Sequence, residues 1–216
     1  MPNGNKVPEP TANPNLSEDR TPSRVDRRVQ EFRSRVLETA ETLFAERGVE
    51  ATKIADICEA ADVAKRTLCN HFPTKAHIVQ SLSREAVSRF VALVDDAREN
   101  GRTNRERLRL LFDRLVDRTH EFKPVHRESV GAFFQVAHGT SDATEGEVRL
   151  SAALHALLEA GGPEDLPPGA SAETFAELVL GAIYSTTLEW IHRDDYDLET
   201  RTAEIGAFLV SLLPDR

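Results

Sequence analysis

Apolar positions recur every three or four residues along almost the whole chain from about Pro22 onward, a spacing that predicts one amphipathic helix after another. Phe32, Val36, Ala40, Leu43 and Phe44 form the first stripe, and Gly48 is the residue type that ends helices. Thr52 has the side chain of an N-cap for a short helix that turns Ile54, Ile57, Cys58 and Ala61 to one side. A break at Ala61-Asp62-Val63 precedes a second short helix with Leu68 and Phe72 inward. Pro73-Thr74-Lys75 then opens a long helix over about 74–100, with a stripe of Ile78, Leu82, Ala86, Phe90, Leu93 and Ala97 and a stop at Gly101. Further helices are expected over about 104–122, 124–138, 145–160, 171–192 and 198–213. Their breaks are marked by Pro124, by GTSDATEG, by GGPEDLPPG and by the acids Asp194, Asp195 and Asp197. No stretch sustains a period of two and no internal repeat is visible, so the expected class is all-α, with about nine helices.

Composition changes this picture at one end. Residues 1–19 hold four prolines and four asparagines and almost no large apolar side chains, too little to offset the entropy of ordering, so a disordered tail is expected over 1–21. The remainder, in a chain 40% hydrophobic and 29% charged, can bury a core without staples. No apolar run is long enough to span a bilayer, the N-terminus lacks the layout of a signal peptide, and two cysteines give no disulfide framework. A cytoplasmic protein without membrane association is the expectation. The net charge of −9 argues against nucleic acid until it is divided. Residues 20–80 carry eleven Lys and Arg against nine acids, whereas residues 81–216 carry fifteen against twenty-four. The segment with a positive balance is the one that holds the two short helices.

Two short helices joined by a tight turn, with a helix before and a long one after, describe a helix-turn-helix unit. Ile54, Ile57, Ala61, Val63, Leu68 and Phe72 supply the apolar seam that makes the second short helix stand proud. Its outward residues, Lys65, Arg66, Thr67, Asn70 and His71, all form hydrogen bonds, as a helix reading the major groove requires. A polar front is also what any solvated helix face looks like. The longer stretch RVLETAETLFAERGVEATKIADICEAADVAKRTLCNHFPTK decides between the two, because it resembles the N-terminal signature of TetR-family regulators. The resemblance runs continuously over about residues 28–80 through LFAERG, Thr52, Ile57, Ala60, Val63, Thr67-Leu68, His71-Phe72 and Lys75. It implies a DNA-binding domain over 22–73 and a helical ligand-binding and dimerisation domain over 74–216, joined by the helix at 74–100.

The resemblance implies that Lys65, Arg66, Thr67 and Asn70 face base edges or nearby phosphates. It also implies that Thr52 and Lys53 hold phosphate through a backbone N–H, a hydroxyl and an ammonium, and that His71 and Lys75 contact the DNA backbone. Four departures stand out. Asp62 occupies a turn position where the family usually has Gly, and Asp is among the types that tolerate positive φ. Ala64 cannot cap with its side chain, and Arg66 replaces a small residue. Cys69 replaces a Tyr that reaches phosphate; it reads either as a tolerated small residue or as a thiol activated by Lys65, Arg66 and His71. Arg20, Arg24, Arg27 and Arg28 read either as a minor-groove arm or as a solvated terminus.

For the rest of the chain the resemblance implies a small-molecule effector and a homodimer on a palindromic operator, with repression as the mode. The pocket candidates are polar and aromatic residues on apolar faces: His120, Phe133, Phe134, His138, His155, Tyr184 and Trp190. Each also reads as a packed core residue. The helix at 171–192 is apolar nearly all round, so Val179, Leu180 and Ile183, with Phe208, Leu209 and Leu212 of the last helix, are the candidate dimer contacts. The histidines lack metal-site spacing, no cofactor is implied, and no GxSxG, Walker-type loop or GxGxxG argues for an enzyme. The alternative is a helix-turn-helix that acts as a protein-interaction module without operator binding, for which Ala64 and Cys69 are the motive.

Overall fold

The computed structural model describes residues 23–122, 126–128, 130, 131 and 141–215, with side chains from 149 onward in the last stretch. Eight α-helices have both ends among the described residues: α1 (Arg24–Arg47), α2 (Ile54–Ala60), α3 (Lys65–His71), α4 (Lys75–Asn100), α5 (Asn104–Thr119), α6 (Ser141–Glu159), α7 (Ala172–His192) and α8 (Leu198–Ser211); residues 127, 128, 130 and 131 are helical as well. A 3-10 turn, Pro163–Asp165, follows α6. The expected tail at 1–21 and most of the expected helix at 124–138 lie outside the described residues.

The helix ends follow local chemistry. The Ser23 hydroxyl accepts from the Asp26 N–H at 3.2 Å while the Asp26 carboxylate accepts from the Ser23 N–H at 3.0 Å, a reciprocal cap that starts α1. Thr103, Ser171 and Asp197 cap α5, α7 and α8 in the simpler way, each accepting from the N–H three residues on. Gly48 ends α1 with φ +83°, in a region closed to most side chains. The structure shortens α5 to Thr119 and α8 to Ser211, and it begins α6 at Ser141 rather than near 145. GTSDATEG is therefore helical from Ser141 onward.

Packing produces two cores. One gathers Val36, Leu37, Ala40, Leu43 and Phe44 of α1, Ile57 and Cys58 of α2, Leu68 of α3, Phe72, and Ile78, Val79 and Leu82 of α4. The other gathers Val94 and Ala97 of α4, Leu108, Leu111 and Phe112 of α5, Leu154, Leu157 and Leu158 of α6, and the inner faces of α7 and α8. The first two turns or so of α4 therefore belong to the head, and its end to the body. Within the body α5 packs along α8, and α6 lies against both α4 and α7.

A buried polar knot orders the start of α5. Asn104 is fully buried; its amide donates to the Leu158 carbonyl at 2.7 Å, and its side-chain oxygen accepts from Arg107 at 3.1 Å. Its backbone N–H donates to the Asp165 carboxylate at 3.1 Å, so the α5 start, the α6 end and the 3-10 turn are tied together. At the far side of α5, Gly206 lets α8 approach closely, since a Cβ there would lie 2.5 Å from the Phe112 ring. Phe112 is itself buried. Gly206→Ala is expected to destabilise the body by about 1–3 kcal/mol through this overpacking, read as a lower urea midpoint. An unchanged midpoint would mean that α8 can slide on α5.

Candidate nucleic-acid interface

The unit α2–turn–α3 is built around its apolar side. Ile57 and Leu68 are fully buried, Phe72 nearly so, and Ile54 and Val63 pack at the margin. Asp62 turns the chain with φ +53°, the one positive φ outside glycine among the described residues, and Val63 N–H donates back to the Cys58 carbonyl at 2.9 Å. Aspartate meets the turn's backbone requirement as the sequence suggested. Lys65, Arg66, Thr67 and Asn70 are exposed on the opposite face of α3. The helix starts at Ala64 without a side-chain cap, and α4 starts at Thr74 without one, because the Thr74 hydroxyl pairs with the His77 ring at 2.8 Å. Both starts leave first-turn N–H groups available to an anion.

Four implied phosphate contacts look different in three dimensions. Thr52 does not cap α2: it is 1% exposed, and its hydroxyl donates to the Gly48 carbonyl at 2.7 Å, with that of Leu43 at 3.3 Å. Lys53 takes the N-cap position, and its N–H donates to the Asp56 carboxylate at 2.9 Å, which leaves the exposed ammonium as its remaining donor. Lys75 reaches back across the α1–α2 turn, its ammonium donating to the carbonyls of Val49 (2.6 Å), Glu50 (3.2 Å) and Thr52 (3.3 Å). That accounts for all three ammonium hydrogens. The resemblance implied a DNA-backbone contact for Lys75; in the DNA-free structure its ammonium is engaged within the chain, and sequence spacing does not show that a turn about 25 residues upstream presents three carbonyls to it. His71 is half-buried, with its ring 4.7 Å from Phe32 of α1. Arg24, Arg27 and Arg28 are exposed on the first turns of α1, and Arg20 lies outside the described residues. Cys69 is half-buried beside the buried Cys58, whose thiol is pushed up by burial first and by its neighbour Cys69 second; both are free.

In the body, Phe133, Phe134 and His138 lie outside the described residues. His120 is exposed and paired with Glu199 at 3.5 Å, and His155 is half-buried and paired with Glu159 at 3.7 Å. Tyr184 packs half-buried against the body core. Trp190 is buried, edge-on to Phe122 at 5.7 Å and beneath the Arg127 guanidinium at 5.5 Å. An open cleft of about 530 Å³ lies between α5 and α8, floored by Phe112, Val116 and Val210 and flanked by Arg109, Asp113 and Asp117. Its charged residues recur on α5 at helical spacing and read in sequence as a solvated face.

The candidate dimer residues divide. Val179, Leu180 and Leu209 are buried in their own core, which removes them as partner contacts, and Ile183 is half-buried against it. Phe208 is 63% exposed and Leu212 is also exposed. Leu178 and Leu188 are two further exposed apolar residues, on a face of α7 that also carries Gly181, where a Cβ would meet open space. The all-round apolar character of α7 was the signal for them, but periodicity could not tell which side its own core takes.

Residues 36–82 match the family model of bacterial regulatory proteins of the tetR family. The transcriptional repressor KstR of Mycolicibacterium smegmatis is 28% identical over 178 residues, 82% of this chain and 84% of its own length. KstR2 of Mycobacterium tuberculosis is 35% identical over 89 residues, 41% of this chain and 44% of its own. Among solved structures, the regulator FadR of Bacillus subtilis, in complex with stearoyl-CoA, superposes with a TM-score of 0.66 at 20% identity, over 82% of this chain and 97% of that one. The ketosteroid regulator KstR2 of Mycobacterium tuberculosis gives 0.58 at 20% identity, over 85% and 95%. These structural likenesses establish the fold.

Lys75→Met is expected to lower the stability of the DNA-free protein by about 1–3 kcal/mol, because three carbonyls lose a charged donor. A variant as stable as the wild type, with a flatter salt dependence of DNA binding, would return Lys75 to a phosphate role.

Proposed function

We propose that this chain, which belongs to the TetR family of bacterial regulatory proteins, binds a palindromic operator as a homodimer and changes its hold on DNA when a small molecule enters its body. Its relatives are transcriptional repressors, and it is a DNA-binding regulator rather than an enzyme. The observation that carries the operator reading is the two-sided α3: Leu68 fully buried behind, and Lys65, Arg66, Thr67 and Asn70 exposed in front. Arg66 has the donor fork that matches a guanine edge, while the open N-terminus of α4 and the Lys53 ammonium suit phosphates. The cytoplasm is the compartment in which such a regulator meets DNA.

Dimerisation is supported by the outer faces of α7 and α8. Leu178, Leu188, Phe208 and Leu212 expose apolar surface that a soluble monomer gains nothing by showing. Gly181 sits in the middle of a helix, where it costs about 1 kcal/mol relative to Ala, and among the described residues no neighbour explains it. A partner helix approaching closely would. The effector reading is supported by a body of helices built on a large apolar core, and by a structural neighbour that holds stearoyl-CoA. An apolar small molecule is the class we infer. Stearoyl-CoA that leaves operator binding unchanged would remove acyl thioesters from that class.

A mobility shift with the duplex immediately upstream of the chain's own coding sequence tests the operator reading. Salt-sensitive, sequence-selective binding is expected, and no binding at low salt would favour the interaction-module alternative. Arg66→Ala should cost about 1–3 kcal/mol and relax selectivity at one base position in each half-site. A loss spread evenly over all positions would make Arg66 a phosphate contact. Leu178→Glu should halve the particle mass by light scattering and weaken DNA binding with it; a dimer that survives this change uses another face.

A further inference from the structure

We propose that the adjacent residues Arg127 and Glu128 form a coupling link through which the end of α7 restrains the α1–α2 turn of the head, alongside the direct connection made by α4. The proposal rests on the operator reading only for its DNA readout.

Arg127 and Glu128 lie in a helical stretch, and successive helical side chains point about 100° apart, so one can face the body while the next faces the head. The structure arranges them in that way. The Arg127 guanidinium pairs with the Asp194 carboxylate just beyond α7 and donates to the Asp194 carbonyl at 3.3 Å. It lies over the Trp190 ring, which is buried and held edge-on by Phe122. Glu128 faces the other way. Its carboxylate accepts from the Glu50 N–H at 3.3 Å and occupies the space beside Gly48, where a Cβ would come within 2.8 Å of its carboxyl carbon.

The turn these contacts reach is fastened from three sides. Thr52 holds it from within, Lys75 holds it from α4, and Glu128 holds it from the body. The first two travel with the head, whose core includes the start of α4. Glu128 is anchored elsewhere. A displacement of Trp190 or of the Asp194 region is therefore passed to the Glu50 amide through two neighbouring residues, without needing a bend in α4. The bond is exposed and long, so the coupling belongs at the low end of the roughly 5–150-fold range common for linked sites.

Hydrogen exchange at the Glu50 amide in the full-length protein reads the link without DNA. Glu128→Ala should speed that exchange roughly 5-fold, whereas Glu128→Gln, which keeps the acceptor, should stay near wild type. Asp194→Ala should also speed it, although Asp194 does not touch the turn. In the double variant Glu128→Ala/Asp194→Ala the second change should add nothing. Both side chains are exposed, so the variants keep their core. Wild-type exchange in Asp194→Ala, or effects that simply add, would overturn the link. Operator affinity should follow the same order across the set. If the exchange pattern holds while no variant and no wild type binds any duplex, the link stands and the operator reading falls.

Discussion

One helix serves two cores, and most of the molecule's behaviour depends on that. Ile78, Val79 and Leu82 bury the start of α4 in the head, while Val94 and Ala97 bury its end in the body. Burying one such side chain fully contributes about 1.5–3 kcal/mol, so the head cannot part from the start of α4 without losing several of them. Protein cores are close-packed and shift between discrete arrangements more readily than they stretch. The start of α4 is therefore packed as part of the head and its end as part of the body.

The α1–α2 turn is the second place where the two halves meet. Its carbonyls would face a partly buried corner without partners if Lys75 and Thr52 did not supply donors. This alters the electrostatics of the DNA face. The Lys75 ammonium is already engaged, whereas Lys53, Lys65 and Arg66 are exposed and the starts of α3 and α4 have no side-chain cap. The body is strongly acidic and the head has a modest positive balance, to which α3 contributes the exposed Lys65 and Arg66.

The head was legible in detail because its constraints are local. Gly48 and Asp62 sit where the backbone takes positive φ, and Leu68 and Phe72 point inward as their spacing required. The limits of that reading appear at Thr52 and Lys75. Each has a side chain that suits a phosphate, and each uses it on carbonyls that only the folded turn brings near. In the body, spacing placed the described helices but divided their sides only in part: Phe208 and Leu212 face out as expected, while Val179, Leu180 and Leu209 face their own core and Leu178 and Leu188 face out. GTSDATEG, rich in turn formers, begins a helix within its own length.

The sequence by itself determined that the chain is helical, where the α2–α3 unit turns, and which residues of α3 stand outward. Those follow from periodicity and backbone preference, which act over a few residues. Only the tertiary structure decided which face of α7 is inside, that Asn104 would knot three elements together, and that Arg127 and Glu128 would face opposite halves of the molecule. Each of these joins groups that lie tens of residues apart along the chain, and no spacing along a single helix encodes what its neighbour presents.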